Sequence, residues 1–440
     1  MANSMTPARC GSGVALLAVG LAACSGVPTA SARPSTTGIT SVPSSATPSP
    51  MPGTSPTPSA AACTSVAAGQ GAEGFQPLAL TFVGPVEGWV LGTNAPIPGS
   101  CVLLYHTTDG GASWSQVSSP PASSPAEGCG YPPSIPCVDR VLFATPERGL
   151  AFGADWGDVY ETSDGGQLWS RLDTTGVSAM ALVGDVALRL SAVEGGCTSG
   201  ACQLERSTDG GETWSLAEQP LLRPEGPNSD VLLQGDGHAY AVGFGNPAGG
   251  GPETADLYSS GDFGASWTHE SDPCAAVSKS DGALTITEAA GAAPGGVFAV
   301  VCLVGRGQGG ELVMVSDDGG ASFGSPHPVP AFSQAVAERL PKAPTMAILD
   351  GGQLPIPPDS LFAVGSATVL AVVTSAGLSV SHDGGLTWSA TYSCPVDYYG
   401  QGGISFVGFE TATTAHLVCS NAVARTTDGG LTWATYTFPS

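Results

Sequence analysis

The residues best placed to do chemistry are aspartates, and they recur in one pattern: Ser or Thr, any residue, Asp, any residue, Gly, any two residues, then Trp or Phe. It occupies Thr107 to Trp114, Thr162 to Trp169, Ser207 to Trp214, Ser260 to Trp267, Ser316 to Phe323, Ser381 to Trp388 and Thr426 to Trp433. The seven copies place Asp109, Asp164, Asp209, Asp262, Asp318, Asp383 and Asp428 at intervals of 45 to 65 residues. They close on Trp114, Trp169, Trp214, Trp267, Phe323, Trp388 and Trp433. An Asp so placed accepts bonds from backbone N–H groups of its own turn, the Gly two positions on takes a positive φ, and the aromatic covers the turn. These aspartates are expected to be structural, committed to their turns rather than to catalysis or a metal.

Outside the repeats, acidic and aromatic side chains gather in a few connections. Asp155, Trp156 and Asp158 share one tight turn, Tyr131 lies in a Pro-rich stretch, and Asp397, Tyr398 and Tyr399 follow one another. Exposed aromatics beside carboxylates suit a sugar or a peptide with basic groups, and two carboxylates at a fixed separation would serve a glycoside hydrolase. The competing reading is that they cover the ends of the core, so no catalytic residue is assigned. The histidines His106, His238, His269, His327, His382 and His416 never fall at metal-ligand spacing, and no Gly-x-Ser-x-Gly elbow occurs. Gly305 to Gly310 matches the dinucleotide string but lies between two strands with no helix after it, so it reads as a hairpin loop. No metal and no cofactor is expected.

The elements that carry these residues repeat with the boxes. Leu80 to Val83, Gly88 to Gly92, Val102 to His106 and Trp114 to Val117 read as four short strands, with the box between the third and fourth. Val141 to Ala144, Gly149 to Gly153, Asp158 to Glu161 and Leu168 to Leu172 repeat them. So do Ile404 to Gly408, Ala415 to Cys419, Val423 to Thr426 and Thr432 to Thr437. Seven such units make an all-β, seven-bladed β-propeller of four-stranded antiparallel blades. In a blade entered at its innermost strand, the box turns and first hairpins lie on one side of the disc. The second-to-third and fourth-to-first connections lie on the other. The long insertions all fall there: Pro120 to Asp139, Ala192 to Gln203, Gly243 to Asp256, and Gly324 to Asp359, with a helical turn or two expected at Gln334 to Leu340. That side is the expected binding face. No strand exchange between the termini is evident, and Cys63 to Gln70 could add a closing strand.

The boxes, for example Thr107-Thr108-Asp109-Gly110-Gly111-Ala112-Ser113-Trp114, resemble those of the BNR or Asp-box family. Its propellers include sialidases, xyloglucan hydrolases, sortilin-type receptors and the photosystem II assembly factor family. The run Gly88-Trp89-Val90-Leu91-Gly92 is most similar to the last of these, whose propellers have seven blades. A sialidase-like site would need three convergent arginines and usually shows an early Arg-Ile-Pro. That tripeptide is absent, and Arg140, Arg148, Arg189, Arg206, Arg306 and Arg425 are scattered, with Arg206 abutting a box and expected to point to solvent. Similar xyloglucan hydrolases place substrate between two propellers, whereas this chain has one. The assembly-factor propellers offer a basic surface, and this chain carries a net charge of −24. The resemblance thus implies an architecture and a binding scaffold more than an activity.

That charge repels nucleic acid and anionic head groups. Twelve cysteines suit an exported protein, and with Cys10 and Cys24 set aside, sequence neighbours suggest Cys63 with Cys101, Cys129 with Cys137, Cys197 with Cys202, Cys274 with Cys302, and Cys394 with Cys419. Zinc is the rival reading, without a CxxC pair or nearby His to support it. At the N-terminus, Arg9 precedes the apolar run Val14 to Leu21, as in a secretory signal. Leu21-Ala22-Ala23-Cys24 resembles the lipobox of bacterial lipoproteins. The expected organisation is a leader over 1–23, a lipidated Cys24 opening a Ser/Thr/Pro-rich disordered linker over 24–62, and the propeller over 63–440. The expected location is the extracytoplasmic face of the cell membrane, held by the lipid anchor alone, in the cell wall or periplasm. The expected function is a non-catalytic scaffold for an unknown protein or glycan, with a sialidase-like or other glycoside hydrolase as the alternative.

Overall fold

Alternation of buried apolar residues with turn glycines organises the chain into strands. A computed structural model describes residues 63, 74–94, 100–124, 136–153, 157–172, 176–192, 202–222, 229–243, 256–278, 285–304, 310–330, 362–374, 377–394 and 403–439. They form seven four-stranded antiparallel sheets, each built from four consecutive strands. The blades span 76–117, 140–172, 177–222, 229–270, 285–329, 362–392 and 404–437, and one short helix, Ala275–Ser278, lies before blade 5. The expected boundaries hold within about two residues except at the first strand, Gln76–Val83, which begins four residues earlier than its apolar run. The helical turn expected at Gln334 to Leu340 and the closing strand at Cys63 to Gln70 lie outside the described residues, Cys63 apart.

The core is a series of layers between blades. Trp89 on the second strand of blade 1 is fully buried and stacks on Phe143 of blade 2, with ring centroids 3.7 Å apart and planes 4° apart. Leu142, Leu150 and Phe152 of blade 2 pack with Val177, Met180, Leu182 and Ala187 of blade 3 in the same way. The box aromatics belong to these layers as well. Trp169 packs against blade 1 residues and donates its Nε1–H to Ser118 O at 3.1 Å. Trp388 reaches Pro328 O of blade 5 at 3.1 Å, and Trp433 reaches Thr391 Oγ1 of blade 6 at 3.4 Å. Covering its own turn is thus only half of each aromatic's role, since it also wedges into the preceding blade.

The ring closes without a shared strand. Gly74 N donates to Pro439 O at 2.9 Å, and Phe75, Tyr105, Trp114 and Phe438 cluster across the junction of blades 1 and 7. His416 of blade 7, fully buried, lies flat on Phe82 of blade 1, with centroids 3.6 Å apart and planes 8° apart. Its Nδ1 meets Glu410 Oε1 at 2.7 Å. Arg425 donates to Pro85 O at 2.9 Å.

Disulfides staple three blades at equivalent places. Cys63–Cys101, Cys274–Cys302 and Cys394–Cys419 join the segment before a blade's first strand to its second strand or to the connection before its third, with Cα atoms 5.6, 5.6 and 5.7 Å apart. Cys137 is also disulfide-bonded. Cys129 and Cys197 lie outside the described residues.

The second box glycine sits hard against the preceding blade. Gly385 has φ +92°, and a Cβ there would lie 2.5 Å from Val313 Cγ1 of blade 5. Gly385→Ala should therefore cost about 2–4 kcal/mol in urea unfolding, through strain and overpacking together. Gly84→Ala, at φ +75° with nothing within 4 Å of the new Cβ, should cost only about 1–2 kcal/mol from the backbone alone.

Candidate functional site

One box chemistry recurs in six of the seven blades. In blade 1, Thr107 Oγ1 donates to Asp109 Oδ1 at 2.8 Å and accepts from Gly111 N at 2.9 Å, and Asp109 accepts Ser113 N at 2.8 Å and the Ser113 hydroxyl at 2.6 Å. The same set recurs at Asp262, Asp318, Asp383 and Asp428. In each of these five the hydroxyl four residues on, and then its backbone N–H, hold the carboxyl down at about 2 against an ordinary 3.8. Hydrogen bonds from Ser207 and Thr213 lower Asp209 likewise. Both glycines of the box take positive φ, 71° and 86° at Gly110 and Gly111. Blade 4 has Phe263 at the first of these positions, at φ 57°.

Each box is also tied to its neighbours. The N–H of its fourth residue donates to the blade's own first hairpin, as Gly110 does to Val86 O and Phe263 to Gly237 O, both at 2.8 Å. Box turns and first hairpins therefore share one side of the disc. Carbonyls of the box accept from the preceding blade: Asp209 O from Arg148 at 2.9 Å, Phe263 O from Arg206 at 2.8 Å, Gly429 O from His382 at 3.0 Å. Arg206 does not point to solvent as its position suggested, because this carbonyl lies within its reach.

The other described arginines are also engaged. Arg189 Nε pairs with Glu205 at 2.7 Å and its guanidinium lies 4.2 Å from the Trp214 ring centroid. Burial opposes ionisation of Glu205, but bonds from Arg189 and Ser191 hold it below its ordinary value. Arg140, fully buried at the start of blade 2's innermost strand, lies 3.6 Å from Asp139. Arg140 and Arg148 thus stand at opposite ends of blade 2, Arg189 and Arg206 on adjacent strands of blade 3 with Arg206 opposite Leu188, and Arg425 on blade 7. Arg306 lies outside the described residues.

Of the candidate ligand-face residues, Asp155, Trp156, Tyr131, Asp397, Tyr398 and Tyr399 lie outside the described residues, as does Cys24. Asp158 is described, at the insertion-bearing end of blade 2. It is buried and ion-paired with Arg171, its Oδ2 accepts Cys137 N at 3.3 Å, and its own N–H donates to Cys137 O at 3.2 Å. The cross-strand pairing of Tyr160 with Arg171 places that ion pair beside Tyr160, whose hydroxyl reaches Pro121 O at 3.4 Å. Cys101, Ser123 and Cys137 form a bridge ladder on the same side. Sequence reading missed Arg171, because an isolated Arg on a three-residue strand gives no signal until the strand pairing is known. Among the described residues no group of three or more His, Cys, Asp or Glu could hold a metal ion. No helix of the described residues is long and apolar enough to cross a membrane.

The family model agrees with this geometry. The BNR/Asp-box repeat model matches residues 205–216, the box of blade 3, and the chain is a seven-bladed Asp-box β-propeller. An ancestral GH74 enzyme superposes with a TM-score of 0.50 at 13% identity, over 86% of this chain and 48% of that one, so this chain spans about half of its length. YCF48 from Cyanidioschyzon merolae matches with a TM-score of 0.39 at 17% identity, over 68% of this chain and 84% of that one. A PL25 ulvan lyase gives 0.48 at 10% identity, over 86% and 96%. At 13% identity the likeness to the GH74 enzyme concerns the fold alone. No curated protein matches the chain significantly.

Two outcomes follow. A carboxylate whose folded pKa lies below its unfolded value contributes stability above the unfolded value and loses it as pH falls through the folded one. The boxes of blades 1, 4, 5, 6 and 7 should therefore hold at pH 4 and fail between about 3.8 and 2, as read by circular dichroism. Asp158→Ala removes the acceptor of Cys137 N–H and should cost about 1–3 kcal/mol in urea unfolding. An aspartate with no structural role would leave the midpoint unchanged.

Proposed function

We propose that this chain is a non-catalytic extracytoplasmic binding or assembly scaffold, anchored through a lipidated Cys24 and carried on the 24–62 linker, that engages a protein or glycan through the insertion-bearing side of its propeller. The observation that carries the reading is the contrast in connection length between the two sides. First hairpins vary only from the two residues between Val183 and Val186 to the five between Phe143 and Gly149. On the opposite side, connections run from the two residues between Thr374 and Gly377 to the 32 between Val329 and Phe362. A rigid ring that varies only one rim presents that rim to a partner. The acidic balance suits a partner with basic or neutral groups and disfavours nucleic acid.

The commitment of Asp158 to Arg171 and Cys137 favours the scaffold reading over a hydrolase that would use Asp155, Asp158 or Asp397 as its carboxylate pair. Incubating the purified chain with sialosides and with wall and plant glycans should yield no released sugar. Release at enzymic rates, abolished by Asp155→Ala or Asp397→Ala in a chain that still folds, would establish the hydrolase instead. For the anchor, Cys24→Ala should move the chain from the membrane fraction to the soluble fraction of its host, and unchanged partitioning would refute it.

A further inference from the structure

Six of the seven boxes place Ser or Thr at their seventh position, where the hydroxyl donates to the second oxygen of the box Asp. Ser113, Thr213, Ser266, Ser322, Thr387 and Thr432 do so at 2.5–2.6 Å. Blade 2 departs from this. Its seventh residue is Leu168, whose N–H still donates to Asp164 Oδ1 at 2.9 Å but whose side chain offers nothing to Oδ2. That side chain is 75% exposed. The box thus gives up a charge-assisted hydrogen bond and sets a leucine in water, a double local loss that scaffold physics does not explain.

Leu168 is not alone. At the sixth box position, where other blades carry Ala, Gln or Glu, blades 6 and 7 expose Leu386 at 63% and Leu431 at 59%. Val86, 49% exposed, crowns the first hairpin of blade 1 beside its box. Blades 6, 7, 1 and 2 follow one another around the ring, so four consecutive blades raise an aliphatic side chain on the box side. The remaining large apolar side chain exposed among the described residues, Leu216, lies on the outermost strand of blade 3.

Carboxylates outnumber cations on this side. Arg148, Arg206 and Arg425 turn onto carbonyls of the next blade. Asp185 and Glu212 pair with Arg148 at 3.1 and 3.5 Å, while Glu147 is exposed and the seven box aspartates line the same rim.

We propose that the box side is a second docking surface, and that its occupant is a basic polypeptide segment presenting aliphatic side chains to Leu168, Leu386, Leu431 and Val86. A second copy of this chain would bring like charge against like charge, and an anionic lipid surface would meet the same repulsion. This surface is independent of the insertion-bearing side.

The test uses the full chain at physiological ionic strength and two fluorescent peptides of equal charge, one of Leu and Lys, the other with every Leu replaced by Ser. Anisotropy should show tighter binding of the Leu/Lys peptide. The triple variant Leu168→Thr, Leu386→Ala, Leu431→Ala, with charge unchanged, should weaken it about tenfold. Leu168→Thr alone restores the hydroxyl donor to Asp164 and should raise Tm by about 1–2 °C while weakening the peptide. Equal binding by the triple variant would overturn the proposal. So would a dimer in sedimentation that the triple variant dissolves, adsorption to phosphatidylserine vesicles lost in that variant, or a fall in Tm on Leu168→Thr.

Discussion

Everything in this propeller hangs on one hydroxyl per blade. The Ser or Thr that opens each box donates to the Asp carboxylate and accepts the N–H of the second box glycine, as at Ser381, Asp383 and Gly385, both at 2.8 Å. That pair of bonds fixes the loop with a positive φ at its fifth residue, which is Gly in all seven copies, and the shape delivers the closing aromatic into the layer between blades. Without the bond the loop is a flexible seven-residue turn with a tryptophan at its end. With it, the tryptophan is a wedge. Local turn chemistry and the long-range packing of the ring are in this way the same event.

The arrangement explains how the ring closes with no strand shared between its ends. The seams between blades 1 and 2, 2 and 3, 3 and 4, and 6 and 7 combine apolar layers with hydrogen bonds from one blade to the next blade's box, and the seam between blades 7 and 1 has the same construction. His416 on Phe82, Arg425 on Pro85 O and the Phe75–Phe438 cluster do there what Arg148 and Arg206 help do elsewhere. The terminal junction is one more seam. It also divides the molecule functionally: the box side is held to a narrow set of turns, while the other side is free to vary its connections.

Much of this was legible in the sequence. Seven boxes declared seven blades, and the apolar alternation around them placed the strands, because a turn motif with fixed residue types at fixed offsets is a local signal. The inter-blade contacts were not legible. Nothing beside Arg206 announces that Phe263 O, 57 residues on, lies within its reach, and Arg171 gains meaning only through its pairing with Asp158. In sequence the box side shows scaffold alone, since all seven copies match one pattern. The exception at Leu168 counts as an exception only once the bond that the other six copies make is seen. Of the candidate ligand-face residues, Asp158 alone is described, and its position is governed by strand pairing that no spacing rule reveals.

Native-state hydrogen exchange of the second box glycine amides, Gly111, Gly166, Gly211, Gly264, Gly320, Gly385 and Gly430, tests the central claim most directly. If the hydroxyl-anchored box is what each seam depends on, these seven amides should exchange only with the unfolding of the sheets themselves, at the slow rate of the buried strands. Exchange through local opening, faster than the strands and different from box to box, would show that the boxes are ornaments on a ring held together by its layers alone.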